Sequence, residues 1–103
     1  MPDAGSGMNK PLVLIVEDEA SLVTMLRYNL EKQGFRVDEA ADGQEALNRI
    51  NEAQPDLVLL DWMLPVMSGI EVCRQIRRRT STRDLPVIMV TARTEDQLSL
   101  IHI

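Results

Sequence analysis

Three apolar runs punctuate the chain, and each stops at a polar side chain. Residues 12–16 (LVLIV) lead into Glu17, Asp18 and Glu19, residues 57–60 (LVLL) into Asp61, and residues 85–90 (LPVIMV) into Thr91. Short runs of branched apolar residues without polar alternation are what strands buried on both faces of a parallel sheet require. Residues 35–40 (FRVDEA) alternate instead, which predicts a strand nearer the sheet edge. Between these runs the period changes. Leu22, Val23, Met25, Leu26 and Leu30 recur at helical spacing and predict a helix over residues 19–33, closed by Gly34. Asp42 is placed to cap a second helix carrying Ala46, Leu47 and Ile50 on one face. Ser68 and Gly69 open a third, with Ile70, Cys73 and Ile76 as its expected buried face, and Glu95 and Asp96 open a fourth.

Strands alternating with helices predict an α/β fold, a doubly wound parallel sheet with right-handed crossovers. Such sheets bind ligands outside the carboxyl ends of their strands, where Glu17, Asp18 and Asp61 would all fall. Three carboxylates at close range repel one another unless a cation sits among them. Oxygen-only donors suit a hard ion, and Mg²⁺ is the usual one when phosphate is also bound. The plainer alternative is that Glu17 and Asp18 merely start the following helix, where acids favour the dipole. A carboxylate can also attack phosphorus and form an acyl phosphate, provided charge on the equatorial oxygens is neutralised. On that chemistry Asp61 is the candidate nucleophile. Glu17, Asp18 and Asp61 itself, with the backbone carbonyl of Met63, are the candidate Mg²⁺ ligands, and Thr91 offers a hydroxyl to a phosphoryl oxygen.

At 103 residues the chain is one domain at most. A net charge of −5 argues against direct nucleic-acid binding by this polypeptide. Cys73 is the sole cysteine, so it forms no disulfide within the chain and is expected to pack a helix face. No apolar run approaches a membrane span or a signal-peptide core, and a cytoplasmic location is expected. Residues 1–9, with Gly5, Ser6 and Gly7, read as a tail. Arg77, Arg78, Arg79 and Arg83 read as a solvated helix end set against the dipole.

The order strand-Glu-Asp, strand-Asp, strand-Thr, carried by "VEDE", "PDLVLLDWMLPVMSG" and "PVIMVTAR", resembles the receiver domain of two-component response regulators. The texture of "LLDWMLP" and "TRDLPVIMVTAR" is most similar to the phosphate-regulon regulators, whose family joins this domain to a winged-helix DNA-binding domain. The resemblance implies a flavodoxin-like fold with strand order 2-1-3-4 and a fifth strand beyond. It also implies that a sensor histidine kinase donates a phosphoryl group to Asp61, with Mg²⁺ bound, and that the domain is a signalling phosphoacceptor rather than an enzyme. DNA would be contacted only through an output domain not present here. Receivers further carry a lysine at the end of the fifth strand, and the only lysines here are Lys10 and Lys32. The receiver is therefore expected over residues 10–97, with the fifth strand and last helix missing and residues 98–103 a foreign or truncated tail. Two consequences are expected: self-association through an exposed fourth strand, and Leu22, Leu26 and Leu30 meeting water. His102 in that tail is expected to be incidental. Two other functions compete with the phosphoacceptor. One is a pseudo-receiver that binds partners without phosphorylation. The other is a haloacid-dehalogenase type hydrolase, which needs a second Asp where Met63 stands.

Overall fold

The computed structural model describes residues 10–94 and 97–102, with residues 91–94 and 97–102 as backbone only. The elements, in chain order, are β1 (Leu12–Val16), α1 (Ala20–Lys32), β2 (Arg36–Ala40), α2 (Gly43–Ala53), β3 (Leu57–Asp61), α3 (Gly69–Arg78), β4 (Val87–Thr94) and β5 (Gln97–His102). They build one sheet in the order β2-β1-β3-β4-β5. The first four strands are parallel, which is the expected 2-1-3-4 arrangement. β1 and β3 sit in the middle, and β1 is buried along its whole length, as an unbroken apolar run demands.

The sheet has a thick side and a thin one. On the thick side Leu14, Val16, Val58, Leu60, Val87 and Met89 meet α2 and α3 through Ala46, Leu47, Ile50, Val72, Cys73 and Ile76. On the other side, among the described residues, only Val13, Ile15, Leu59 and Val90 form the buried cluster, covered in part by Val23, Leu26, Leu30 and Phe35. α1 has no fully buried side chain, and Leu22, Leu26 and Leu30 are half-buried, with Leu26 and Leu30 packed on the cluster rather than left to water. Asp42 caps α2 by accepting from the Glu45 N–H at 2.8 Å, and Ser68 caps α3 through the Glu71 N–H. Gly34 ends α1 at φ 96°, a left-handed conformation that suits glycine.

Five expectations are corrected. A fifth strand is present, and it is antiparallel: Ile88 pairs with His102, Met89 with Ile101, Val90 with Leu100 and Thr91 with Ser99. The outer edge of β4 is therefore laddered, which removes the basis for self-association through it. The physical reason is connection length. A parallel fifth strand needs a crossover of a dozen or more residues, whereas an antiparallel one needs only a hairpin. Thr94 pairs with Gln97, so the strand takes the place of the expected fourth helix; its proposed start, Glu95 and Asp96, lies outside the described residues, as does the tail over residues 1–9. In α3 the buried stripe is Gly69, Val72, Cys73 and Ile76, while Ile70 is exposed. The true stripe keeps the i, i+3, i+4, i+7 spacing, which an assignment starting at Ile70 misses by one position. Arg77 is not simply solvated, since its guanidinium donates to the carbonyls of Arg83 (3.0 Å) and Leu85 (2.7 Å) and ties the α3–β4 loop.

Candidate functional site

The pairing of β1 with β3 is what brings the acids together. Val16 lies opposite Leu60, so the residues that follow each strand leave the sheet side by side. Glu17, Asp18 and Asp61 each place a carboxylate oxygen within 4.8 Å of the others. The pocket predicted from the strand ends is thus assembled. Glu17 is buried, Asp61 half-buried and Asp18 exposed. The Glu17 N–H is anchored on the Ala40 carbonyl at 3.0 Å, and its Oε2 accepts from the Glu19 N–H at 3.0 Å. Asp61 turns Oδ1 back to accept from the Met63 N–H at 3.1 Å. This bond fixes the Met63 backbone at the pocket, while its side chain is exposed. The β4 residue opposite Asp61 is Val90, so the Thr91 backbone follows directly beside the pocket. The Thr91 side chain lies outside the described atoms.

Burial and mutual repulsion leave their mark on the acidity of these groups. Loss of solvent pushes the Glu17 carboxyl up to about 7, helped by the charges of Asp61 and Asp18 and opposed by the Glu19 N–H. Asp61 is also raised, first by burial and then by Asp18, with the Met63 N–H, the Glu17 proton and the Trp62 N–H acting against the rise. The cluster is thus short of positive charge. Three oxygen donors within one coordination sphere fit a hard divalent ion, and such an ion would relieve that shortage.

Two further residues hold β3, one at each end, without a clear signal in the sequence. Asp56 closes a reciprocal pair with β1: its carboxylate accepts from the Leu12 N–H and its own N–H donates to the Leu12 carbonyl, both at 2.8 Å. The only sequence signal was an acid after Pro55, with no hint of a partner 44 residues away. Gly69, read only as a helix start, donates its N–H to the Trp62 carbonyl at 3.1 Å and rests against the backbone of Asp61. Neither lysine belongs to the pocket: Lys10 precedes β1, and Lys32 ends α1 with its Nζ over the Tyr28 ring. A separate cavity of about 260 Å³, lined by Ile50, Asn51, Gln54, Pro55, Ser81, Thr82 and Leu85, adjoins the opposite end of β3 and contains no titratable side chain.

A family model for the response regulator receiver domain matches residues 13–101. The chain belongs to that family. It is 55% identical over 86 residues to the phosphate regulon transcriptional regulatory protein PhoB of Rhizobium meliloti, covering 84% of this chain and 38% of that protein. It is 49% identical over 85 residues to PhoB of Escherichia coli, covering 82% of this chain and 37% of that protein. The chain therefore spans little more than a third of the curated relatives it matches. Among solved structures, the receiver domain of a Pseudomonas aeruginosa sensor histidine kinase, which has a magnesium ion coordinated in its active-site cleft, superposes with a TM-score of 0.78 at 33% identity. That match covers 82% of this chain and 69% of the other. No helix among the described residues is long and apolar enough to cross a membrane.

Proposed function

We propose that this receiver domain accepts a phosphoryl group on Asp61 from the phosphohistidine of a sensor histidine kinase in the cytoplasm, as the switch of a transcription regulator. The observation that carries this is the meeting of Glu17, Asp18 and Asp61 at the ends of two adjacent parallel strands. Asp61 is suited to be the acceptor. It stands at the end of a central strand with its Oδ1 held by the Met63 N–H, which fixes the carboxylate at the pocket. In the transfer a carboxylate oxygen of Asp61 bonds to phosphorus, the phosphorus–nitrogen bond of the donor breaks, and the imidazole leaves with a proton. Glu17, Asp18, Asp61 and the Met63 carbonyl would hold Mg²⁺, which when bound neutralises charge on the phosphoryl oxygens. Thr91, next to the pocket by its backbone, would donate its hydroxyl to a phosphoryl oxygen and couple the event to β4. The domain acts on itself rather than turning over substrates. DNA contact would belong to an output domain of the kind that the transcriptional regulators among its relatives carry.

The pocket favours this reading over a pseudo-receiver, because all three acids converge. Met63 disfavours a dehalogenase-type hydrolase, since a thioether cannot serve as the second acid. Incubation with acetyl phosphate and Mg²⁺, followed by intact-mass measurement, should add one phosphoryl group, and Asp61→Asn should abolish it. An adduct that persists in Asp61→Asn would show that the acceptor lies elsewhere.

A further inference from the structure

Residues 62–68 carry the chain from Asp61 into α3, and this loop is held in a conformation that costs energy. At its apex Val66 has φ 69°, and the Met67 N–H reaches the Pro65 carbonyl at 2.7 Å. A γ-turn centred on a β-branched residue in the left-handed region is an outlier. Val66 is 82% exposed, so no burial of its side chain repays the strain. Strain of this kind persists only where the surroundings over-determine the backbone.

The surroundings do so through two glycines. A β-carbon on Gly43, the first residue of α2, would stand 2.7 Å from a Val72 methyl and 2.8 Å from the Met67 Cβ. A β-carbon on Gly69 would stand 2.5 Å from the Asp61 carbonyl oxygen and 2.6 Å from the Trp62 Cα. The clamp at Gly69 is the tighter, and the two land on different things. Gly43 meets Val72 of α3 and Met67 near the far end of the loop, including the Met67 carbonyl oxygen at 2.9 Å. Gly69 meets the peptide unit that leaves Asp61, and these are backbone atoms that cannot swing aside.

We propose that Gly69 is a positioning residue for Asp61: its bare Cα lets the start of α3 seat against the end of β3 and so sets where the Asp61 carboxylate stands relative to Glu17 and Asp18. The proposal rests on the pocket being the phosphoacceptor site described above. A methyl at Gly69 must move the end of β3 or the start of α3, and either shift changes the approach of Asp61 to Glu17 and Asp18. Misplacing a reacting group by about 1 Å costs roughly a hundredfold in rate, so a shift of about half an ångström should cost about tenfold.

The test compares Gly69→Ala with Gly43→Ala in the full chain, each also made with Val66→Asn, which tolerates the left-handed turn and helps both variants fold. Circular dichroism gives the folded fraction. Mg²⁺ affinity is read from the emission of Trp62, the single tryptophan, and acetyl phosphate labelling is expressed per folded molecule. Gly69→Ala should weaken Mg²⁺ binding about fivefold or more and slow labelling about tenfold. Gly43→Ala, with a comparable loss of thermal stability, should leave both within about twofold of the parent. Equal losses in the two variants, or parental affinity and rate in folded Gly69→Ala, would overturn the proposal. Labelling that survives Asp61→Asn would overturn the acceptor assignment alone, because the Mg²⁺ titration still decides the placement of Asp61. No response to Mg²⁺ in the parent would overturn both.

Discussion

In the metal-free domain, stability should fall as pH rises through neutrality, and Glu17 should be the main cause. The folded protein holds the Glu17 proton up to about pH 7, whereas the unfolded chain releases it near 4.5. Between those values the folded state binds more protons than the unfolded one, so the unfolding free energy decreases with rising pH. At about 1.4 kcal/mol per pH unit, the gap amounts to up to about 3 kcal/mol lost once pH exceeds 7. Asp61, raised from 3.8, adds to the fall in the same direction, beginning at lower pH. Such a loss is a large share of the roughly 5–15 kcal/mol a native domain possesses. Urea unfolding in EDTA, followed from about pH 5 to about pH 8, measures it directly, with Glu17→Gln as the comparison because it cannot ionise. The variant should show a much flatter profile and exceed the parent at the alkaline end. Mg²⁺ should restore parental stability most at high pH, where protons no longer compete for the carboxylates, by about 2.7 kcal/mol at a hundredfold excess over its Kd. A parental profile that is flat or rises with pH, or an unchanged slope in Glu17→Gln, would refute the account of the pocket as three crowded acids.

Two further outcomes follow from bonds and strain already described. Asp56→Ala leaves the buried Leu12 N–H without its acceptor and should cost about 1–3 kcal/mol. Asp56→Asn keeps an acceptor oxygen and should cost less than half as much, both read as urea midpoints at constant slope. Val66→Asn should raise stability by about 1 kcal/mol and the melting temperature by roughly 4–8 °C, because it relieves the left-handed backbone while giving up little buried surface. Calorimetry checks this, and a lower melting temperature would contradict it.

What was legible in the sequence was whatever depended on a run or on its end. The strands announce themselves because burial on both faces permits no polar alternation, and Glu17, Asp18 and Asp61 are conspicuous because they break those runs where the sheet meets solvent. The features missed depend on contacts between distant residues or on space. Nothing local tells that Asp56 will meet Leu12, that Arg77 will reach back to Leu85, or that a methyl at Gly69 has nowhere to go. At Glu95–Asp96 a helix-start signal was followed, but the open ladder of β4 captured the next residues instead, a tertiary override of local preference. In α3, Cys73 and Ile76 are buried as expected, and Ile70 fails because a strict three-residue spacing drifts off the face that Gly69, Val72, Cys73 and Ile76 share.

The unequal cores on the two sides of the sheet have a kinetic meaning. α1 has no fully buried side chain, so its amides should exchange with solvent by local opening well before those of α3, whose Val72 and Ile76 are sealed in the larger cluster. The segment from β1 into α1 also bears Glu17 and Asp18, while Asp61 stands on a central strand. Glu17 and Asp18 lie just ahead of α1, so each opening of α1 would loosen the neighbourhood of two of the three acids while the third stays on its central strand. An ion bridging all three would act as a latch on that motion, slowing exchange in α1 far more than in α3. The same latch would tie the helix that has no fully buried side chain to the chemical state of a central strand.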